Sequence, residues 1–214
     1  CVSVRQNKRN HRTRFLSTDE LTRLGRLLSN ARASEDRMEQ VNATAMALLI
    51  LTGWRVSEVL GLQWGDVKGN RLLLRDSKTG PRTVWLGDEA RELIQSLPRA
   101  SNNPWLFWNW RFHKPVKSIT HIWEHYRREL RFKDVRLHDL RHTFASHAVM
   151  GKENLQMLGR LLGHTSVKST ARYAHFDDAH LLEAAEVIGA SIERAMLTGS
   201  HASKLPHPMQ HDIS

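Results

Sequence analysis

The segment "RLHDLRHTFASH" concentrates cationic and titratable side chains in a stretch with helical periodicity. His138, Arg141 and His142 stand three or four residues apart, so on a helix they project from one side. His138 and His142 have the spacing of zinc-binding helices. However, the HExxH glutamate is missing, the chain has no cysteine pair, and Arg141 would place a fixed charge beside the metal. A metal site is thus disfavoured, and the simplest alternative is a row of solvated polar residues.

Four further residues stand out by type and motif, although three of them, taken alone, have an ordinary structural explanation. Arg55 in "TGWRVSEVLGL" fits a helix-surface cation, and Lys78 in "SKTG" fits charge at a hairpin tip. His164 follows an "LLG" sequence that is typical of a helix C-terminus. Tyr173 sits in a short polar helix, whereas the chain's other tyrosine, Tyr126, falls on an apolar stripe typical of a core.

The elements that position these residues are mainly helices. "STDELTRLGRLL" begins one helix with a capping box formed by Ser17 and Glu20, and "MEQVNATAMALLILTG" forms a second that stops at Gly53. Two short apolar runs around "DSKTGP" predict a β-hairpin with Lys78 near its tip. The predicted fold class is mainly α with one small antiparallel β-sheet (α+β). Further helices are predicted in "VSEVLGLQW" and at about residues 88–97, 118–130, 138–150, 154–162, 167–173 and 179–197.

The composition indicates one folded unit with an anionic partner. With 214 residues, 40% of them hydrophobic, the chain can bury a sizeable core. Lysine and arginine outnumber aspartate and glutamate by 32 to 22, which favours nucleic acid, with an anionic membrane surface as the alternative. The longest apolar run, "AMALLIL", is too short to cross a membrane, and the start of the chain lacks the apolar core of a signal peptide. The single cysteine fits a reducing cytosol.

Taken in order, the motifs resemble those of the catalytic domain of tyrosine recombinases, the phage-integrase family. The shared boxes are "TGWRVSE", "SKTG", "HDLRHTFAS", "LGH" and a tyrosine nine positions after that histidine. Each box is weak alone, but chance does not readily produce all of them in this order. The resemblance covers roughly residues 15–197, and "LRHTFASH" and "RYAHF" look most like integrases of temperate phages and related mobile elements.

The resemblance implies a site-specific recombinase that cleaves and rejoins DNA strands during integration or excision of a mobile element. Arg55 and Arg141 would present planar forks of donors to the phosphate oxygens in place of Mg²⁺, so neither a cofactor nor a metal ion is expected. Supporting roles are expected for His142 and Asp139, which orient neighbours or cap a turn, and for Glu58, which pairs with an arginine of the site. The implied catalytic residues are Arg55, Lys78, His138, Arg141, His164 and Tyr173.

The remaining catalytic roles also follow from the resemblance. Tyr173 would attack the scissile phosphate and form a 3′-phosphotyrosyl intermediate, leaving a free 5′-hydroxyl. His138 is the candidate base for the phenol, and Lys78 is the candidate general acid for the departing 5′-oxygen. His164 would donate a hydrogen bond to the phosphate.

The resemblance further implies how the chain is organised and what it binds. Residues 1–14 are expected to form a basic linker or arm, 15–197 the catalytic domain, and 198–214 a flexible C-terminal tail. The family's N-terminal DNA-clamping domain is missing from the sequence, so we expect a catalytic fragment or a minimal recombinase. The expected partners are double-stranded DNA and an accessory factor that sets the direction of recombination. Further copies of the chain are expected to form a tetrameric synapse on the DNA, in which exchange of the C-terminal helix between copies is one option. The expected location is the cytoplasm, either at a bacterial nucleoid or in a phage-infected host cell, and no membrane is involved.

Two alternatives from other functional classes share parts of this pattern. A type IB topoisomerase has the same arginine, lysine and tyrosine chemistry, and a catalytically silent DNA-binding regulator would keep only the fold. The first is disfavoured because "LRHTFASH" and "LGH" look like recombinase boxes. The second is disfavoured because Arg55, Arg141 and Tyr173, which such a regulator should have lost, are all present.

Overall fold

The computed structural model describes residues 14–75, 80–150 and 154–163. All of them belong to a compact unit that spans residues 1–174. A second unit, residues 175–214, lies outside the described residues.

The described part is mainly helical, in agreement with the predicted fold class. The helices predicted at 167–173 and 179–197 and the predicted tail at 198–214 lie outside the described residues, as does the predicted arm except for Arg14. None of the described helices is long and apolar enough to cross a lipid bilayer. The elements in chain order are α1 (Thr18–Arg32), α2 (Arg37–Thr52), α3 (Val56–Leu60), a 3₁₀ turn (Trp64–Asp66), β1 (Val67–Lys68), β2 (Arg71–Leu74), β3 (Arg82–Trp85), α4 (Asp88–Gln95), β4 (Trp108–Asn109), β5 (Lys114–Pro115), α5 (Thr120–Glu129), α6 (Asp139–Met150) and α7 (Leu155–Leu162).

The first two helices begin and end where their sequences predict. Ser17 Oγ accepts the Glu20 N–H at 3.2 Å and the Glu20 carboxylate accepts the Ser17 N–H at 2.9 Å, which is the predicted capping box. Leu24 and Leu28 are buried on one face of α1, which packs on α2. Helix α2 ends at Gly53, which adopts a left-handed conformation with φ 63°.

Helix α2 runs through the core and packs against α1, α3, α4 and α6. Residues on several of its faces are buried, including Leu48 and Met46, which are fully inaccessible to solvent. Tyr126 on α5 is also buried, and this burial, with Glu39 and Glu129 nearby, raises the pKa of its phenol to about 12. The prediction that Tyr126 belongs to the core is therefore confirmed.

The predicted hairpin is formed by β2 and β3, which pair in antiparallel register with Leu72 opposite Val84 and Leu74 opposite Arg82. Leu72, Leu74 and Val84 are buried, so this face of the hairpin lies on the core. The tip, residues 76–79, lies outside the described residues. Strand β1 adds a third, two-residue strand to the sheet.

A second antiparallel ladder, between β4 and β5, was not predicted, so the expectation of one small sheet was incomplete. Trp108 pairs with Pro115 and Asn109 with Lys114. Strands of two residues are too short to show the alternation of polar and apolar residues that identifies a strand in sequence. Phe107, the residue before β4, is fully buried in the core, and its carbonyl accepts the Val116 N–H at 2.9 Å.

Helix α6 is buried more completely than its sequence indicates. The Thr143 hydroxyl donates to the Asp139 carbonyl at 2.8 Å and accepts the Leu16 N–H at 2.9 Å, which ties the start of the described chain to this helix. Arg141 is only 5% exposed. The interpretation of this segment as a row of solvated polar residues is therefore wrong for Arg141, because its side chain points into the fold.

Gly53 has a left-handed conformation and closely packed neighbours, and these two features give a first test of the fold. A Cβ at this position would lie 2.5 Å from Phe144 Cδ1 and 2.8 Å from Leu162 Cδ2. We expect Gly53→Ala to lower the free energy of unfolding by roughly 2–5 kcal/mol, the sum of left-handed strain and overpacking.

The matched control is Gly25→Ala in α1, where a Cβ meets nothing within 4 Å. This change should stabilise the protein by about 0.5–1 kcal/mol because alanine is the better helix former. Urea denaturation of both variants measures the difference. Equal stabilities of the two variants would contradict the packing of Gly53 against α6 and α7.

Candidate active site

Arg141 links the ends of two helices through a buried guanidinium. Its Nη1 donates to the Gly53 carbonyl at 2.7 Å and its Nη2 donates to the Leu162 carbonyl at 2.9 Å. Both acceptors belong to C-terminal turns, where carbonyls lack helical partners and carry the negative end of the helix dipole. The two bonds fix the plane of the guanidinium and offset the cost of burying its charge.

Arg55 lies two residues beyond Gly53, at the N-terminus of α3. Its main-chain N–H donates to Glu58 Oε2 at 2.9 Å, and its Nη1 donates to Glu58 Oε1 at 2.7 Å. The Arg55 side chain remains 25% exposed, whereas the Glu58 side chain is fully buried. The predicted pairing of Glu58 with an arginine is confirmed for Arg55. Because Arg141 donates to the Gly53 carbonyl, Arg55 and Arg141, which come from two different sequence motifs, both lie at the end of α2.

A third arginine, Arg82, completes this cluster from the hairpin. Its Nη2 lies 3.5 Å from Glu58 Oε2, and its Nη1 donates to the Leu161 carbonyl at 3.3 Å. Burial lowers the pKa of the Arg82 guanidinium, Glu58 acts in the opposite direction, and the positive charge of Arg55 lowers the pKa further. Burial alone would raise the pKa of the Glu58 carboxyl, but the hydrogen bonds from Arg55 and the charges of both arginines reverse this and hold it below its ordinary value.

His138 immediately precedes α6 and is exposed to solvent. Its carbonyl accepts the Arg141 N–H at 3.1 Å, so the two residues share the first turn of the helix. The rings of His138 and His142 are 5.3 Å apart in an edge-to-face arrangement. The Asp139 carboxylate accepts the Arg136 N–H at 2.8 Å, which confirms the prediction that Asp139 caps a turn. Among the described residues no group of three His, Cys, Asp or Glu side chains is placed to hold a metal ion.

Three of the six residues singled out in the sequence lie outside the described residues: Lys78, His164 and Tyr173. The structure does describe the elements that lead to two of them. β2 ends before Lys78 and β3 begins after it, and α7 is capped by Gly163, the residue immediately before His164. Gly163 has the left-handed conformation, with φ 64°, that its sequence predicts. The structure thus brings together Arg55, Arg141 and the first turn that bears His138.

Arg82 is the member of the cluster that the sequence analysis missed. A signal for it was present, since residues at every second position of a strand share one face. Arg82 is two residues from the buried Val84 and opposite the buried Leu74, so it faces the core. An arginine in an inward register is uncommon without a buried partner, and here the partner is Glu58.

A family model described as "Phage integrase family" matches residues 14–180 of the chain. The chain belongs to the phage integrase family. Among its relatives is the tyrosine recombinase XerD of Chlamydia pneumoniae, which is 32% identical over 147 residues, covering 63% of this chain and 48% of the relative. The integrase of Escherichia phage 186 is 31% identical over 151 residues, covering 67% of this chain and 40% of the relative. This integrase-family chain spans about half the length of the first curated relatives it matches.

Solved structures of the family support the same assignment of the fold. The catalytic domain of the bacteriophage HP1 integrase superposes with a TM-score of 0.59 and 26% identity, covering 80% of this chain and 92% of that domain. The XerA recombinase superposes with a TM-score of 0.61 and 27% identity, covering 86% of this chain and 66% of that one. The predicted fold class, a mainly helical tyrosine-recombinase catalytic domain with a small antiparallel sheet, is thereby confirmed, and the β4–β5 ladder adds a second sheet to it.

The lowered pKa of Glu58 predicts how stability depends on acid pH. Because the folded-state pKa lies below the ordinary value of 4.5, the contribution of this carboxylate is complete above about pH 4.5 and is lost as the pH falls through the folded-state pKa. We expect Glu58→Gln to cost roughly 3–5 kcal/mol at neutral pH, since it removes the shared partner of Arg55 and Arg82. Below pH 4.5 the difference from the unchanged protein should shrink.

The matched control is Glu124→Gln, which breaks the partly exposed pair with Arg127 on α5. That change should cost about 0–1 kcal/mol. Urea denaturation followed over a series of pH values measures both variants. A Glu58→Gln penalty that is unchanged from neutral to acid pH would contradict the ionised, paired carboxylate.

Proposed function

We propose that this chain is the catalytic domain of a site-specific recombinase that breaks and rejoins DNA strands through a covalent tyrosyl intermediate. The observation that carries the proposal is the placement of Arg141. Its guanidinium donates to the Gly53 carbonyl, two residues before Arg55, and to the Leu162 carbonyl, two residues before His164. A phosphodiester gathers negative charge on its non-bridging oxygens during substitution at phosphorus. Fixed guanidinium groups stabilise that charge without having to reorganise.

In the proposed reaction the Tyr173 oxygen attacks the scissile phosphorus. A bond from phosphorus to the tyrosyl oxygen forms as the bond to the 5′-oxygen breaks. His138 takes the phenolic proton, Lys78 gives a proton to the departing 5′-oxygen, and His164 donates a hydrogen bond to the phosphate. One phosphodiester replaces another of similar energy, so attack by a 5′-hydroxyl of a second strand reverses the step and joins the strands without ATP.

Double-stranded DNA is the proposed substrate and partner. The net charge of +10 supports binding to a polyanion, with a strong dependence on salt. Solved structures that share this fold include XerH bound to difH substrate, at 22% identity, and the Tn1549 transposon integrase in complex with circular intermediate DNA, at 20% identity. The names of the relatives favour recombination over the topoisomerase and silent-regulator alternatives.

The wider organisation follows from the same proposal. Residues 15–197 form the catalytic domain, between a basic arm at 1–14 and a tail at 198–214. We propose that the domain works in a tetramer on DNA, with the helix at 179–197 docked on its own or a neighbouring subunit, and that an accessory factor sets the direction of recombination. The reaction would take place on chromosomal or phage DNA in the cytoplasm.

The central test is capture of the covalent intermediate. The protein is incubated with a pool of duplexes of randomised sequence that carry a nick, so that the short cleaved strand diffuses away and religation is prevented. We expect a denaturation-resistant protein–DNA adduct that yields an enriched cleavage site. Tyr173→Phe should abolish the adduct, because phenylalanine has no nucleophilic oxygen.

Tyr126→Phe is the matched control, since Tyr126 is a buried core residue. It should form the adduct at a rate close to that of the unchanged protein. The absence of an adduct from the unchanged protein, or an adduct that survives Tyr173→Phe, would overturn the proposed function.

A second test concerns the geometry of Arg141. Arg141→Lys keeps the charge but cannot reach the Gly53 and Leu162 carbonyls with one planar group. We expect single-turnover cleavage of the enriched site to slow by about 10²–10³-fold, the usual effect of removing a donor that stabilises developing charge. Arg91→Lys, on an exposed helix surface and paired with Asp88, should leave the rate unchanged. Equal rates for the two variants would contradict the role of Arg141.

A further inference from the structure

Arg82 connects the hairpin to two other parts of the cluster. It is the first residue of β3, and its side chain is 16% exposed. One nitrogen faces the Glu58 carboxylate at 3.5 Å and another donates to the Leu161 carbonyl at 3.3 Å. The guanidinium therefore touches the N-terminal region of α3 and the C-terminal turn of α7 from a strand that belongs to neither.

Gly163 makes room for this contact. A Cβ at Gly163 would lie 2.5 Å from Arg82 Cζ and 2.6 Å from Arg82 Nε, distances at which real atoms clash. The residue also has a positive φ of 64°, which glycine adopts without strain. The last turn of α7 is thus shaped around the guanidinium of Arg82 immediately before His164 in the chain.

The carboxylate of Glu58 makes the link to Arg55. Its Oε1 accepts from the Arg55 guanidinium and its Oε2 accepts from the Arg55 main chain and faces Arg82. Because both arginines share one fully buried carboxylate, their positions are coupled. Lys78 precedes Arg82 by four residues, so anchoring Arg82 limits where the Lys78 amine can reach.

We propose that Arg82 is a positioning residue that sets the Lys78 hairpin against Arg55 and the end of α7, and so aligns the proposed general acid with the scissile bond. The proposal rests on the proposed function. Arg82 does not touch the substrate in this scheme, and it acts through the placement of Lys78. Loss of the Arg82 side chain should therefore slow the transfer of a proton to the departing 5′-oxygen more than any other step of the reaction.

The experiment uses a leaving group that needs no proton. Replacing the 5′-bridging oxygen of the enriched cleavage site by sulphur gives a thiolate leaving group, which is a much weaker base than an alkoxide. We expect Arg82→Gln to slow cleavage of the oxygen substrate by about 10–10²-fold, less than the 10²–10⁴-fold expected for Lys78→Ala. Both variants should approach the unchanged protein on the sulphur substrate, whereas Arg55→Gln should stay slow on both.

Arg71→Gln is the matched control, because it removes one cation from the same hairpin. Arg71 stacks on Trp85, with its guanidinium carbon 4.7 Å from the ring centre. The Arg71→Gln variant should cleave both substrates at the rate of the unchanged protein. Thermal melting and DNA binding of every variant are measured in parallel, and Arg82→Lys, which retains the charge, decides the question if Arg82→Gln does not fold.

The outcomes separate this inference from the function on which it rests. Selective rescue of the folded Arg82 variant by sulphur supports the positioning role. Cleavage of the oxygen substrate at the unchanged rate, or an equal slowing on both substrates, overturns it while leaving the proposed function intact. Failure of the unchanged protein to form a Tyr173-dependent adduct overturns both.

Discussion

A buried guanidinium has to be matched by acceptors, and in this protein the acceptors of Arg141 are main-chain carbonyls at the ends of two helices. An unmatched charge in this position would cost far more than a typical hydrogen bond contributes. The match requires α2 and α7 to end at the same place, and each ends at a left-handed glycine, Gly53 and Gly163. The site and the core are therefore stabilised by the same contacts.

The arginines of the cluster differ in how firmly they are held, and the difference agrees with the proposed chemistry. Arg141 and Arg82 are largely buried and bonded to main-chain carbonyls, whereas the Arg55 side chain is partly exposed and donates to the Glu58 carboxylate. A reactive phosphate needs donors that do not move during the reaction. Helix ends and a buried carboxylate provide that rigidity, and the proposed nucleophile and acid come from other segments.

Local signals explain which features could be predicted from the sequence. The capping box of Ser17 and Glu20, the stops at Gly53 and Gly163 and the hairpin all depend on residues close together in the chain, and the structure confirms them. The burial of Arg141 depends on carbonyls far away in the chain, which periodicity cannot reveal. The β4–β5 ladder is too short to show alternation.

The candidate site shows the same division. The motifs singled out Arg55, His138 and Arg141, and the expected pairing of Glu58 with an arginine of the site is made with Arg55. The part played by Arg82 was missed because its partners, Glu58 and Leu161, lie in segments that only the folded chain brings together.

The tether between Leu16 and Thr143 has a practical meaning for work with isolated pieces of this protein. It joins the entry to α1 with the middle of α6, while Leu162 supplies one of the acceptors of Arg141. A fragment that begins after Leu16 removes the N–H that donates to the Thr143 hydroxyl. A fragment that ends before Leu162 leaves the Arg141 guanidinium without one of its two carbonyl acceptors. A fragment that keeps residues Leu16 to Leu162 therefore retains both contacts.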